Sequence, residues 1–324
     1  MHPLTFFQPL LEEEIQKLSF EKEPADLYDP VRYMLQLGGK RIRPAITLMG
    51  CELFGGDYSE AMPAALGIEV FHNFTLLHDD IMDKAPLRRS KPTVHKKWNN
   101  DVAILSGDAM FVKSCQLMMQ VNAKVLQPVM DQFLSSALLV CEGQQWDMTF
   151  QSAMDVSIGK YLQMIELKTA ALLACALKTG ALIAEASTEN ASLMYDFGKN
   201  LGIAFQLHDD ILDVYGDEEK FGKLSGGDII ANKKTYLLLS ALEMASAKQS
   251  EELKHWLSLE EFQPREKVAA VKSVFQSLGV KEMAEEKMEA YFQQSLASLQ
   301  AVTASEGSKE MLFSLASDLM RRQH

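Results

Sequence analysis

Cysteine is scarce in this chain of 324 residues, and the four present, Cys51, Cys115, Cys141 and Cys175, share no C-x-x-C spacing. That pattern argues against a zinc site or a disulfide framework. The apolar residues around each one predict buried, reduced thiols. No run of eighteen or more apolar residues occurs, so no membrane-spanning helix is expected. The first seventeen residues carry acidic side chains where a signal peptide would have a basic stretch and an apolar core, which predicts a cytoplasmic protein. Positive charge is also in deficit: 32 Lys and Arg against 44 Asp and Glu give a net charge of −12. Such a balance disfavours nucleic acid as a partner and repels a free diphosphate at long range, so metal ions and a local basic cluster must overcome it if a diphosphate is to bind.

Strand-like alternation and long low-complexity linkers are missing as well. Apolar residues instead recur every three to four positions through 102–121, 161–186, 191–214 and 235–245, the spacing of a helix face. With 47% hydrophobic and 23% charged residues, the chain predicts an ordinary globular, all-α protein, read as a single domain over residues 1–324. Breaks fall at 57–59, 85–92, 216–232 and 263–265, where Gly, Pro or polar residues cluster. The segment 215–234, holding Gly216, Gly222, Gly226 and Gly227, predicts a mobile loop, and a lid that closes over substrate is the functional expectation for it.

One heptapeptide is repeated. Residues 77–83 read Leu-His-Asp-Asp-Ile-Met-Asp and residues 207–213 read Leu-His-Asp-Asp-Ile-Leu-Asp, each inside an apolar stretch with helical spacing. Asp79 and Asp83, like Asp209 and Asp213, then stand at i and i+4 on one helix face. A single such string is most simply a solvated face, but two near-identical copies point to chemistry. Clustered carboxylates repel unless something neutralises them, and hard oxygen ligands of this kind suit Mg²⁺, which takes one or two carboxylates plus phosphate oxygens of a substrate. His78 and His208, directly before the aspartates, are expected to hydrogen-bond around the site and not to ligate an oxygen-seeking ion.

Cations flank the first copy. Gly38-Gly39-Lys40-Arg41-Ile42-Arg43-Pro44 puts Lys40 and Arg43 three apart, a spacing that predicts one helix face, and Arg88 and Arg89 follow the aspartates. The planar fork of arginine and the compact charge of lysine together suit a diphosphate. Taken in order with Lys168-Thr169, Phe205-Gln206 ahead of the second aspartate set, and Asn232-Lys233, these motifs resemble the trans-prenyltransferases, the head-to-tail isoprenyl diphosphate synthases of the polyprenyl synthetase family. The resemblance runs from about residue 38 to residue 236.

That resemblance implies an isoprenoid-synthase-type helical bundle around a central cavity, assembled as a homodimer. It implies that Asp79, Asp80, Asp83, Asp209, Asp210 and Asp213 hold Mg²⁺, typically three ions, against an allylic diphosphate. Arg88, Lys168 and Lys233 would contact that same diphosphate, while Lys40, Arg43, His72 and Arg89 match positions that bind isopentenyl diphosphate. Thr169 and Gln206 would lie near the reacting carbons, completing a catalytic set with Lys168 and Lys233. By the same resemblance, bulky residues four or five places before the first aspartate close the cavity floor. Here these are Thr75 and Phe74, with Phe71 less than a further turn away, about 3.6 residues making one turn. One aromatic there, and no insertion in the motif, looks more like a geranylgeranyl (C20) than a farnesyl (C15) diphosphate synthase. Two other functions are open in principle. A class I terpene cyclase usually mixes Asn, Ser or Thr with Glu in its second metal motif, which this chain does not. A non-catalytic partner subunit would be expected to lack aspartates or cations that are all present here.

Overall fold

The protein is described here by a computed structural model covering residues 1–153, 155–216 and 226–321. It is all-α, and two of the predicted breaks, 57–59 and 263–265, become helix starts. Asp57 accepts from the Ser59 backbone N–H at 2.8 Å and starts the helix Tyr58–Met82. Asn99 does the same for Val102 at 2.9 Å ahead of Asn100–Met118, and Ser157 for Lys160 ahead of Ile158–Ile165. Each of these side chains satisfies an N–H that the first helical turn leaves without a partner. Pro264 opens the helix Pro264–Leu278 at a position where its missing N–H costs nothing, and Gly279 closes it with φ 66°. The predicted break at 85–92 is a small hairpin, Leu87–Arg88 paired antiparallel with Lys91–Pro92. Its two turn residues, Arg89 and Ser90, have φ 51° and 61°, the twist that two-residue hairpins favour.

By backbone contacts the chain forms two compact units. The first comprises residues 1–137, 172–195 and 301–312, and the second 138–171, 196–300 and 313–324. One core of the first unit gathers Val31, Met34, Leu66, Val70, Leu77, Met110 and Leu117 from four helices. The second unit packs Tyr161, Leu207, Ile211, Leu237, Val271 and Phe275. Removing such side chains from water is the main favourable term in folding, roughly 25 cal/mol per Å² of apolar surface. In the first unit, the helices Ile42–Leu53 and Ala171–Ile183 touch backbone to backbone: a Cβ at Gly50 would lie 2.8 Å from the Leu177 carbonyl oxygen.

Two expectations are corrected. Cys51 and Cys175 are buried, but Cys115 is only half-buried and Cys141 is exposed. All four are free thiols. The apolar neighbours of Cys141 misled the reading because Leu134 and Leu138, about one turn apart and one turn before it, also face outward. Lys40 does not share a helix face with Arg43, because the helix begins at Ile42 and the preceding residues form a turn with Gly38, Gly39 and Arg41 all at positive φ. Of the predicted lid, Gly222 and its neighbours 217–225 lie outside the described residues. The remainder holds a short helix, Gly227–Ile230, followed by a turn.

Candidate active site

In the first unit, the aspartate motif is the last turn of the helix Tyr58–Met82, with Asp83 as its C-cap. Asp80 points inward and is 2% exposed, whereas Asp83 is exposed. The hairpin delivers Arg88 to Asp80: its Nε donates to both carboxylate oxygens at 3.0 and 2.8 Å, and Nη2 lies 2.8 Å from Oδ1. The same Nη2 is 3.9 Å from Asp79. Burial pushes the Asp80 carboxyl up, and Arg88 opposes that shift. His78 is turned to the neighbouring helix, where it meets the Ile104 carbonyl at 3.1 Å across Gly107, a position with no room for a side chain.

Three of the four residues predicted for isopentenyl diphosphate, Arg43, His72 and Arg89, also gather in this unit. Arg43 Nη1 lies 3.3 Å from His72 Nε2, and a Cβ at Gly39 would sit 2.9 Å from Arg89 Nη2. The glycine turn and the hairpin arginine therefore pack together. Burial, then Arg43 and Arg89, hold the His72 pKa well below its usual value, so the ring is neutral and able to accept from Arg43. Arg41 was missed by sequence reasoning. It adopts φ 49°, is 3% exposed, and donates to Glu69 at 2.5 Å, to Glu12 at 2.7 Å and to the Leu35 carbonyl at 2.8 Å. Asn73 steadies the same glutamate, donating to Glu69 Oε1 at 3.0 Å.

In the second unit, Lys168 and Thr169 sit in a π-helical turn, Glu166–Ala170, between Ile158–Ile165 and Ala171–Ile183. Such turns add one residue to a helix and redirect its side chains. Gly143 and Gly202 make room for it, since a Cβ at Gly202 would be 2.6 Å from the Ala170 Cα. Lys168 Nζ reaches Asp147 at 2.5 Å, and the Thr169 hydroxyl donates to the Gln206 carbonyl oxygen at 3.1 Å. Gln206 in turn donates to Asp210 at 3.2 Å, and the Tyr161 hydroxyl donates to the other oxygen of Asp210. Asp210 is 4% exposed. Burial, then the Asp228 charge, push its carboxyl up to about 8. Asp213 accepts from the Asp228 backbone N–H at 2.8 Å, and the Asp228 carboxylate lies 3.2 Å from Lys233. Asp147, Tyr161 and Asp228 escaped the sequence reading because none has a local signature.

The family model for polyprenyl synthetase matches residues 24–277. The chain belongs to the polyprenyl synthetase family. It is 34% identical to a short chain isoprenyl diphosphate synthase of Methanothermobacter thermautotrophicus, over 100% of this chain and 99% of that one. Among solved structures, a geranylgeranyl pyrophosphate synthase superposes with a TM-score of 0.95 at 45% identity, covering 100% of both chains. A geranylgeranyl pyrophosphate synthetase from Pyrococcus horikoshii does so with a TM-score of 0.93 at 32% identity, covering 98% of this chain and 97% of that one. By family, this polyprenyl synthetase is a prenyltransferase.

Two features bear on substrate and cation. The residues implied for the cavity floor stand in an aromatic cluster of the first unit, where Phe74 lies 5.5 Å from Phe71 and 5.6 Å from Phe111 between ring centroids. Phe71 is fully buried and also meets Phe133 edge-on at 5.3 Å. Thr75 spends its hydroxyl on the His72 carbonyl at 2.8 Å. As for a cation, the carboxyl of Asp210 is raised first by burial and then by the nearby Asp228 and Asp209 charges, and a divalent ion would favour its ionised form. Among the described residues, no three or more His, Cys, Asp or Glu side chains already form a metal cage. Oxygen donors that need substrate oxygens to complete a shell are the habit of Mg²⁺.

Proposed function

We propose that this protein carries out the Mg²⁺-dependent head-to-tail condensation of isopentenyl diphosphate with an allylic diphosphate, giving geranylgeranyl diphosphate (C20). The observation that carries the reading is the clustering of Arg43, His72 and Arg89 in a chain that also holds two Asp-Asp-x-x-Asp motifs. A terpene cyclase takes no isopentenyl diphosphate and has no use for the basic set. A silent partner subunit would need neither.

In this proposal Asp79, Asp80, Asp83, Asp209, Asp210 and Asp213 hold the cations, three by family resemblance, with the allylic diphosphate. Bound Mg²⁺ offsets the charge that grows on the bridging oxygen as the carbon–oxygen bond breaks. Arg88, Lys168 and Lys233 steady the same diphosphate, and Lys40, Arg43, His72 and Arg89 seat isopentenyl diphosphate. Neutral His72 offers a ring nitrogen there without adding charge. The oxygens of Thr169 and Gln206 face the allylic cation as dipoles too weakly nucleophilic to trap it. The isopentenyl double bond attacks that cation, and the resulting tertiary cation gives its proton to the departing diphosphate, so no dedicated histidine base is required.

Phe74, with Phe71 and Thr75 around it, sets the floor. A C15 product is the second reading, favoured by the close approach of Phe111 to Phe74. The proposal includes a single functional domain, since the unit boundaries after residues 137 and 195 fall inside the continuous helices Ala123–Ser152 and Thr188–Tyr215. It includes a homodimer, supported by the exposed apolar residues Leu105, Val112 and Met119 along Asn100–Met118 and its C-cap. A cytoplasmic location is supported by four free cysteines, which suit a reducing compartment. Among the described residues no helix is long and apolar enough to cross a membrane.

The test is to incubate purified protein and Mg²⁺ with labelled isopentenyl diphosphate plus dimethylallyl, geranyl or farnesyl diphosphate, and to size the dephosphorylated products. C20 alcohol is expected. C15 alone, or products longer than C20, would overturn the floor, and no condensation with any primer would overturn the reaction.

A further inference from the structure

A lysine far along the chain from the first aspartate motif is buried and, among the described residues, has no counter-charge in its hydrogen bonds. Lys267, on the helix Pro264–Leu278, is 0% exposed. Its ammonium donates to the Asn232 side-chain oxygen at 2.6 Å, approaches the Ile230 carbonyl at 3.5 Å, and lies 4.1 Å from the centre of the Phe262 ring. Burying a charge against neutral partners is costly, and a methionine of similar length would fill the same space without that cost. Burial also lowers the Lys267 pKa. Packing alone therefore does not account for the residue.

What the ammonium holds is a turn. Asn232 adopts φ 54°, unusual for a residue with a side chain, and its amide is gripped at both ends, since Nδ2 donates to the Leu257 carbonyl at 3.0 Å. The next residue, Lys233, donates its backbone N–H to the Asp228 carbonyl at 2.9 Å and carries its ammonium 3.2 Å from the Asp228 carboxylate. Asp228 then donates its own backbone N–H to Asp213. Packing reinforces this line: Gly226, φ 84°, lies so close to Val268, the neighbour of Lys267, that an added Cβ would be 2.8 Å from it. One side of the turn is thus fixed by Lys267, and the other meets the second aspartate motif.

We propose that Lys267 is a positioning residue for the allylic-diphosphate end of the reaction, acting through Asn232 to aim Lys233 and to fix Asp228 against Asp213. This rests on the function proposed above, and it adds a residue that no motif marks. The experiment compares Lys267→Met and Asn232→Gly with wild type by hydrogen exchange and by steady-state kinetics. Glycine accepts positive φ freely, so Asn232→Gly removes the amide without straining the turn and decides the matter should Lys267→Met fold poorly.

In both variants the amides of Asp228 and Lys233 should lose protection by about tenfold or more, with the rest of the second unit unchanged. The KM for the allylic diphosphate should rise about fivefold or more, while that for isopentenyl diphosphate stays within about twofold. The double variant should be no worse than the weaker single, as expected for two residues acting as one unit. Unchanged exchange at these amides in folded variants would overturn the proposal, as would an equal rise in both KM values. If wild type itself condenses nothing, the functional reading falls, and the exchange result still decides whether Lys267 holds the turn.

Discussion

Asp210 is a carboxylate held almost out of water, 4% exposed. Burial first, then Asp228, push its carboxyl up to about 8, so without a cation it holds a proton that an ordinary aspartate, at about 3.9, has lost. A raised carboxyl contributes stability that is complete at low pH and is lost as pH rises through the folded value. A cation binding the carboxylate must displace that proton below about pH 8 and meets no such competition above it. The rise in melting temperature on adding Mg²⁺ and a non-reactive diphosphate is therefore expected to be larger at pH 8.5 than at pH 6, measured by scanning calorimetry. Asp210→Asn should flatten the difference, and an equal rise at both pH values in wild type would contradict it. Arg41 carries a second residue-scale expectation. Glu69 is buried and depends on it, so Arg41→Met should cost about 3–5 kcal/mol in urea unfolding, the usual result of stranding one partner of a buried pair. A loss below about 1 kcal/mol would mean that solvent reaches Glu69.

At the scale of elements, local patterning showed through where the cause is local. The cap Asp57, the proline start at Pro264 and the helical periodicity are all written in neighbouring residues, so the all-α class and these breaks could be read directly. The aspartate repeat was legible for the same reason. Lys40 misled because i, i+3 spacing matters only inside a helix, and two glycines with Arg41 hold this stretch in a turn. Tyr161, Asp228 and Lys267 could not be found in this way: each owes its role to partners many residues away, and nothing adjacent marks them. Phe71 and Phe74 show the same divide. Their one-turn spacing was visible, but only packing separates them, Phe71 being sealed among Phe74, Phe111 and Phe133 while Phe74 keeps partial exposure. Phe71→Ala should therefore cost about 3–5 kcal/mol of stability. Phe74→Ala should instead lengthen the product beyond that of wild type while costing less stability, as read by chromatography and urea unfolding. An unchanged product spectrum would remove Phe74 from the floor.

At the scale of the whole molecule, Leu105, Val112 and Met119 are 60%, 56% and 59% exposed and recur every seven residues along one side of Asn100–Met118 and its C-cap. Ile104 adds to the same side at 43%. Isolated exposed apolar residues are ordinary, but a stripe that keeps heptad spacing is the pattern of a helix seam, and it stays wet unless another surface covers it. A second copy of the chain is the partner that the proposed homodimer supplies. Replacing Leu105 and Val112 by glutamate places like charges face to face across a two-fold seam while leaving the buried side of the helix, Met110 and Leu117, untouched. Sedimentation equilibrium should then show wild type at twice the chain mass of 36.3 kDa and the double variant at the chain mass, with the helical circular dichroism of both alike. A double variant that remains a dimer would move the seam elsewhere, and a monomeric wild type would leave the stripe in need of a different partner.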